Sequence, residues 1–309
     1  MHNASRLLVF GPPLHPVPLT KMQPGISTHV LLQQRLHPGH LDAFARAGAR
    51  HLELFAARHH FDYTDRSAVR EIANWFRAND VTPSLHQPLY TEARWSRHVA
   101  PTLNLIAGDK SRRIEAMDEV KRALETAEQI PLATVVLHLG LLHDPWTPHS
   151  LEHSLTAIEH LKAFASPLGV RLLLENLHND VTTPDHLLEV VRVGHFDTVG
   201  VCFNIAHAHL SPEQTTDGIL PGLELLKPRV ATLHLSDNDG RIDQHLWPGS
   251  IEKNGIDFPA VLPSLSALPP KTPWIVEIAH DTNEDLDALT AHFTQTLDNF
   301  RRLEEIVNR

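Results

Sequence analysis

The sequence predicts a single (β/α)8 barrel, a TIM barrel of the α/β class, on three observations. Eight short apolar runs, rich in leucine or β-branched residues, alternate with eight amphipathic stretches of helical periodicity. Strict alternation of this kind implies parallel strands joined by right-handed crossovers. Eight such units match a closed barrel better than an open sheet, and the phosphate-binding turns GxGxxG and GxxxxGK[ST] are absent from the sequence.

The predicted elements follow one another along the chain as strand–helix pairs. The apolar runs predict strands at 26–32, 51–55, 82–86, 134–139, 171–175, 199–203, 231–235 and 274–278. The amphipathic stretches predict helices at 41–49, 67–79, 111–128, 151–165, 184–193, 221–226, 259–268 and 285–307. Several of these helices begin with a capping signature, such as Asp65 before Ser67, or with proline at a first helical position, such as Pro184.

The chain is expected to form one domain at 26–309, preceded by an N-terminal leader segment at 1–25. Prolines at positions 12, 13, 16 and 18 interrupt the apolar N-terminus before it reaches the length of a signal peptide. No window approaches the roughly 18 uncharged apolar residues that span a bilayer. We therefore expect a cytoplasmic protein without a membrane span, and the sequence leaves a homo-oligomer open.

Composition narrows the classes of function. The chain has 309 residues, of which 24 are histidines, and a net charge of −10 when histidine is counted as neutral. This charge argues against an affinity that depends on neutralising nucleic-acid phosphates or anionic lipid. The single cysteine cannot form an intramolecular disulfide, and without a CxxC pair the histidines cannot belong to a Cys/His zinc-finger array.

Metal-ligand residue types are concentrated where the predicted strands end. In a (β/α)8 barrel the chemistry lies at the C-terminal ends of the strands, so these residues are expected to converge on one rim. Nine residues belong to this set: His86, His138, Glu175, Asn204, His207, His234, Asp243, His245 and Glu277. Most of the remaining histidines are expected on solvated surface.

A divalent metal site is the simplest explanation for this set. A lone histidine at a strand end is more often a hydrogen-bonded structural residue than a ligand. Carboxylates and imidazoles buried together near one axis, however, would repel one another or stay unsatisfied without a cation. Imidazole and carboxylate ligands suit Zn, Mn, Co or Fe, whereas the lack of thiolates argues against a purely structural zinc site.

Several stretches of sequence, in this order and spacing, carry a resemblance to a known superfamily. They are LHQPLY at 85–90, LNLIAGDKSRRIEAMDEVKRALETAE at 103–128, VVLHLG at 135–140, LLLENL at 172–177, VGVCFNIAHAH at 199–209, LHLSDNDGRIDQHLWPGS at 233–250 and IVEI at 275–278. Together they resemble the xylose-isomerase-like TIM barrels. This superfamily includes sugar and sugar-phosphate isomerases and epimerases, together with apurinic endonucleases of the endonuclease IV type.

The resemblance implies a metal centre, and the two branches of the superfamily differ in how many ligands and ions this centre has. The epimerase branch places its ligands at the positions of Glu175, Asn204, His234 and Glu277. The endonuclease branch adds the positions of His86, His138, His207, Asp243 and His245, which hold two more metals, so one to three ions are expected. This sequence departs from both branches at Asn204, where they normally have Asp. Asparagine can still offer a carbonyl oxygen but removes one negative charge, so weaker metal binding or a different metal is expected.

The two branches imply different chemistry. A metal-dependent isomerase or epimerase of a sugar or sugar phosphate would use Glu175 and Glu277 as its acid/base pair. The net charge favours this function over a multinuclear phosphodiesterase of the apurinic endonuclease type, and a non-catalytic sugar-binding relative is a third alternative.

Three residues are expected to contact the sugar, and one of them, His207, is also a candidate metal ligand. His207 and Arg241 would bind its hydroxyls or a phosphate, and Trp95 would stack on its ring. Trp95 belongs to the long connection at 87–109, which is expected to cover the site. Glu53, near the end of the second strand, is a weaker polar candidate.

Overall fold

A computed structural model of the chain describes residues 22–96, 98, 100–210, 218–279 and 284–307. The expected leader at 1–25 lies outside this part of the chain except for its last four residues.

Eight strands form one closed barrel in sequence order, and every strand pair is parallel. They are β1 (Gln23–Ser27), β2 (His51–Ala57), β3 (Thr82–Tyr90), β4 (Thr134–Leu137), β5 (Arg171–Glu175), β6 (Gly200–Asn204), β7 (Val230–Leu235) and β8 (Pro273–Val276). The predicted (β/α)8 barrel is therefore confirmed.

The helices lie between the strands and after the last one. They are α1 (Pro38–Arg46), α2 (Arg66–Ala78), α3 (Lys110–Leu124), α4 (Pro148–Ala165), α5 (Pro184–Val193), α6 (Ile205–His209), α7 (Ile219–Leu226), α8 (Phe258–Ser266) and α9 (Leu286–Val307). The caps read from the sequence are present, since the Asp65 carboxylate accepts a hydrogen bond from the Ser67 amide at 2.8 Å. No helix in the described residues is long and apolar enough to cross a membrane.

Several predicted elements differ from the structure, and three of these differences have local reasons. Strand β1 ends at Ser27 rather than at residue 32, because the chain turns into a short 3-10 helix at Thr28–Leu31 whose β-branched residues imitate a strand. Strand β3 runs on to Tyr90, because Ala57 of β2 still pairs with Tyr90 after a shift of register. The short helix α6 follows β6 directly, where no helix was predicted.

Successive side chains of each strand point alternately towards the helices and towards the barrel interior, so the buried side chains form separate clusters. Most buried apolar side chains belong to one large cluster between the strands and the helices. A separate cluster joins Val136, Leu173 and Cys202 of three neighbouring strands. Because successive side chains of a strand point to opposite faces, residues two positions further along share the face of this inner cluster. These residues are His138, Glu175 and Asn204, so the inner face leads directly to the candidate site.

Candidate metal centre

Glu175, the last residue of β5, contacts candidate ligand residues of neighbouring strands. Its side chain is buried, with 1% of its surface exposed. Its Oε2 lies 2.9 Å from Nε2 of His138, which follows β4, and 3.6 Å from Nε2 of His86 on β3. The three side chains form one compact His/His/Glu group.

His234 of β7 lies between two glutamates at the centre of the site. Its Nδ1 is 3.1 Å from Oε1 of Glu175 and 3.2 Å from Oε2 of Glu277, which follows β8. Its Nε2 is 3.0 Å from Oε1 of Glu53 on β2. Three glutamates, from β2, from β5 and from the position just after β8, therefore surround one buried imidazole, and no Lys or Arg of the described residues forms an ion pair with any of them.

Asn204 closes the centre on the β6 side, but its amide nitrogen faces the glutamates. Its Oδ1 accepts hydrogen bonds from the backbone N–H groups of Ala206 at 3.0 Å and His207 at 3.2 Å, which caps α6. Only an oxygen can accept these bonds, so Nδ2 faces Glu175 at 2.9 Å and Glu277 at 3.4 Å. In this orientation Asn204 donates to the carboxylates and offers no lone pair to an ion.

A second ligand group lies on the β6 and β7 side of the pocket. Oδ2 of Asp243 is 3.1 Å from Nε2 of His207 on α6 and 3.0 Å from Nε2 of His245. Nδ1 of His207 is 3.6 Å from Oε1 of Glu175, which connects this group to the central one.

Asp237 shapes the loop that carries Asp243 and His245. Its buried carboxylate accepts backbone hydrogen bonds from Asn238 at 2.9 Å, Gly249 at 3.1 Å and Ile256 at 3.0 Å. These bonds tie together three separate parts of the long β7–α8 loop, so the second ligand group rests on an ordered support.

The electrostatics of the centre favour positive charge at His234 and His245. Burial opposes the charged form of His234, but the thiol and carboxyl groups around it raise the pKa of its imidazole well above the usual value. Burial likewise opposes ionisation of Glu277, yet the neighbouring imidazoles hold the pKa of this carboxyl well below its usual range. Burial also disfavours the cation of His245, but Asp243 raises the pKa of His245 to about 9.

The residues fit a divalent ion at this position. Glu53, Glu175 and Glu277 are each at most 3% exposed, and buried carboxylates need a compensating cation. Four groups of three ligand residues each bring their donor atoms within 4.8 Å of one another. Imidazole nitrogen and carboxylate oxygen dominate these groups, and this donor set suits Zn, Mn, Co or Fe.

Not every residue predicted from the sequence reaches the centre. The nine predicted metal-ligand residues lie together at one end of the barrel. Arg241 lines the pocket above them and is exposed. Trp95 does not line this pocket, because it packs beside the ring of His59 at a centroid distance of 5.4 Å.

Two further histidines, His29 and His178, line the pocket, although the sequence did not single them out. His29 lies 4.7 Å from the ring of Phe55 between ring centroids, and burial lowers its pKa to about 4. The sequence prediction ended the first strand at residue 32, so His29 was not recognised as a residue that follows a strand end. In the structure the strand ends at Ser27, two residues before His29. His178 lies three residues beyond the end of β5, and this position after a strand end could have identified it from the sequence.

The fold and the site define a (β/α)8 barrel with a candidate metal centre at the C-terminal ends of its strands. A family model described as a xylose isomerase-like TIM barrel matches residues 41–302. The chain therefore belongs to the xylose isomerase-like TIM barrel family.

Individual relatives are distant. An uncharacterized protein of Methanocaldococcus jannaschii is 25% identical over 178 residues, which are 55% of this chain and 59% of that protein. The chain thus matches less than two thirds of this relative's length. A solved D-tagatose 3-epimerase-like protein is 21% identical with a TM-score of 0.70, covering 93% of this chain and 98% of its own. The IolI protein with a bound zinc atom is 18% identical with a TM-score of 0.70, covering 90% and 98%. At these identities the likeness of the structures shows the fold alone.

Proposed function

We propose that the protein is a metal-dependent isomerase or epimerase of a sugar or sugar phosphate. The observation that supports this most directly is the convergence of Glu175 and Glu277 on Nδ1 of His234, at 3.1 Å and 3.2 Å. Two buried carboxylates around one metal position can provide both the removal and the return of a proton beside a carbonyl. The epimerase-like and zinc-bound structural neighbours support the same function.

Glu175, His234 and Glu277 are the residues that would hold the ion. A divalent ion bound there would act as a Lewis acid, polarising the substrate carbonyl and acidifying the adjacent C–H. Asn204 keeps its amide nitrogen on both carboxylates and so fixes their orientation. His86 and His138 contact Glu175 from the other side.

The two glutamates divide the proton transfer between them. Glu175 ends β5 and Glu277 follows β8, so the carboxylates approach a bound sugar from strands three positions apart in the barrel. One carboxylate takes the proton from the carbon next to the carbonyl, and the other returns a proton to the opposite side. Arg241, at the rim, binds a substrate hydroxyl or a phosphate, and His207 provides a second polar contact.

Deuterium exchange tests this mechanism. Purified protein loaded in turn with Zn, Mn, Co or Fe is incubated in D2O with a panel of ketoses and ketose phosphates. We expect deuterium at the carbon next to the carbonyl, and E175Q and E277Q should lower the exchange rate by about 10²- to 10⁴-fold. The exposed Glu71 on α2 serves as a control, since E71Q should leave exchange unchanged. Wild-type exchange in E277Q would refute the two-carboxylate scheme.

Phosphodiester hydrolysis is a second candidate, favoured by the two ligand groups beside the central one. His86 and His138 with Glu175, and His207 with Asp243 and His245, could hold two more ions, which would position and activate a water. Metal analysis separates the two functions: three zinc equivalents with cleavage of abasic DNA would establish the hydrolase. One equivalent with proton exchange on a sugar would establish the isomerase or epimerase.

A sugar-binding protein without turnover is the third alternative. It predicts sugar affinity but no deuterium exchange with any of the four metals. A cytoplasmic location stays a prediction from the sequence.

A further inference from the structure

The pocket above the metal-ligand groups has a polar floor and apolar walls. We propose that its substrate carries an apolar substituent, alkyl or aryl, next to the polar part that reaches the metal centre. The inference deepens the proposed function and rests on it only in placing the polar part of the ligand at the metal.

The walls come from loops that follow different strands. The pocket has a volume of about 600 Å³, and His86, Glu175 and Glu277 contribute to its lining. Its apolar lining includes Leu89, Tyr90, Leu141, Leu142, Leu177 and Ile242. Most of the candidate ligand residues lie at or just after the strand ends, and hydrocarbon covers much of the remaining surface.

The outermost apolar side chains of this wall are more exposed than core leucines. Ile242 is 61% exposed, Leu142 is 57% exposed and Leu141 is 36% exposed. Ile242 belongs to the β7–α8 loop, whereas the two leucines belong to the β4–α4 loop, yet all three line the same cavity. Large apolar side chains that line the mouth of a polar pocket indicate a ligand that brings apolar surface of its own.

Apart from the imidazoles of His29 and His178 and the Tyr90 hydroxyl, the wall offers few partners for additional sugar hydroxyls. Asn179 lines the pocket, but its Oδ1 accepts from the Thr182 amide at 2.9 Å, and its Nδ2 donates to the Leu139 carbonyl at 3.2 Å. Arg241 is the one Arg or Lys among the lining residues that the structure describes. A sugar with free hydroxyls along its whole length would lose hydrogen bonds to water against this wall, whereas an alkyl or aryl group loses none.

Two hydroxamates that differ only in their tail test the inference. Acetohydroxamate and octanohydroxamate present the same metal-binding head, and calorimetry with zinc-loaded protein gives the Kd of each. We expect octanohydroxamate to bind at least about tenfold more tightly, which corresponds to about 1.4 kcal/mol. Equal Kd values, or no binding of either compound, would overturn the inference.

Variants locate the preference on the pocket wall. L142S and I242S should each reduce the ratio of the two Kd values several-fold and leave the Kd of acetohydroxamate unchanged. Ile114 on α3 is 44% exposed and does not line the pocket, so I114S is the matched control and should keep the wild-type ratio. The proposal would be overturned if L142S and I242S left the ratio of the two Kd values unchanged. It would also be overturned if I114S reduced this ratio as much as they do.

Two further measurements distinguish the apolar subsite from the proposed isomerase activity and from an interface between two copies of the chain. A tail preference without deuterium exchange on any sugar would refute the proposed isomerase and leave the apolar subsite standing. Exchange without a tail preference would refute the subsite alone. If L142S and I242S dissociate a dimer in light scattering and do not alter the Kd ratio, the wall is an interface between two copies of the chain and the proposal is wrong.

Discussion

Asn204 is the residue at which this chain departs from the Asp expected at its position. An Asp there could cap α6 with one oxygen and bind an ion with the other. Asn204 keeps the cap through Oδ1 but turns an N–H donor towards Glu175 and Glu277. The sequence alone suggested that its carbonyl oxygen remained available, and the contacts show that this oxygen is already used.

Restoring the carboxylate should strengthen metal binding. In N204D the second oxygen replaces the amide N–H and adds a negatively charged ligand, so we expect zinc affinity to rise by about tenfold or more. Competition with a chromophoric chelator measures the change. N204A is the comparison, because it removes the side-chain contact without adding charge and should not raise the affinity. An affinity of N204D equal to or below that of the wild type would contradict the orientation described for Asn204.

Glu53 supports the centre from within the barrel. Its Oε1 lies 3.0 Å from Nε2 of His234, and its Oε2 accepts a hydrogen bond from the Ser84 hydroxyl at 3.2 Å. The Ser84 hydroxyl lies 2.8 Å from Nε2 of the buried His51, which continues the contacts away from the site. The two atoms are not in hydrogen-bonding geometry, so Glu53 acts on the imidazole of His234 through its charge, which favours one orientation of the ring.

Removing this carboxylate should weaken metal binding without removing a ligand. We expect E53Q to lower zinc affinity about 10- to 100-fold, the usual effect of losing such a partner. Calorimetry of zinc binding measures the loss, and circular dichroism checks that the fold persists. E71Q, on the surface of α2, should bind zinc like the wild type. An unchanged affinity in E53Q would show that His234 is held by other contacts.

At the scale of elements, α3 is joined to the loop after β2 by a partly buried ion pair. Glu119 on α3 accepts hydrogen bonds from Nε and Nη2 of Arg58 at 2.7 and 2.8 Å, and the Tyr63 hydroxyl donates to the same carboxylate. Burial disfavours the charged form of Glu119, but the hydrogen bonds from Tyr63 and Arg58 hold the pKa of its carboxyl below the usual value. The sequence singled out none of the three residues for this contact.

This network predicts a pH-dependent stability. E119Q should lower the free energy of unfolding by about 2 kcal/mol at pH 7, because it leaves the partly buried Arg58 without its counter-charge. A lowered pKa in the folded state adds stability above the unfolded value of about 4.3, and this stability is lost as the pH falls through the folded pKa. The difference between E119Q and the wild type should therefore shrink below about pH 4.

Urea unfolding at several pH values measures this difference. The exposed Glu115 on the same helix provides the control, since E115Q should change the stability little at any pH. A difference between E119Q and the wild type that is independent of pH would show that charge is not the cause.

At the scale of the whole molecule, the barrel brings together residues that are distant in sequence. The centre takes side chains from β2, β3, β5 and β7 and from the segments after β4, β6 and β8. An ion bound there would connect most of the strands at one end of the barrel. A ligand that binds the folded but not the unfolded chain adds RT ln(1 + [L]/Kd) to stability.

Metal removal should accordingly lower the thermal midpoint. At a free ion concentration about 100 times the Kd, the added stability is about 2.7 kcal/mol, which raises the midpoint by several degrees. Scanning fluorimetry with EDTA, and then with Zn, Mn, Co or Fe, measures the shift. Mg²⁺ prefers oxygen ligands and should produce a smaller one. The absence of a shift with all four metals would argue against the centre.

The sequence by itself determined the alternation of strands and helices, the closed barrel and most of the residues gathered at the C-terminal ends of its strands. Those conclusions depend on periodicity and on the parallel arrangement of strands, both of which are local or topological properties. The tertiary structure alone decided which atoms face one another. It directed the nitrogen of Asn204 to the glutamates, placed Glu53 beside His234, moved Trp95 away from the pocket and brought Leu142 and Ile242 to one wall. Such contacts depend on register, side-chain rotamers and loop paths, which residues far apart in the chain establish only when the barrel closes.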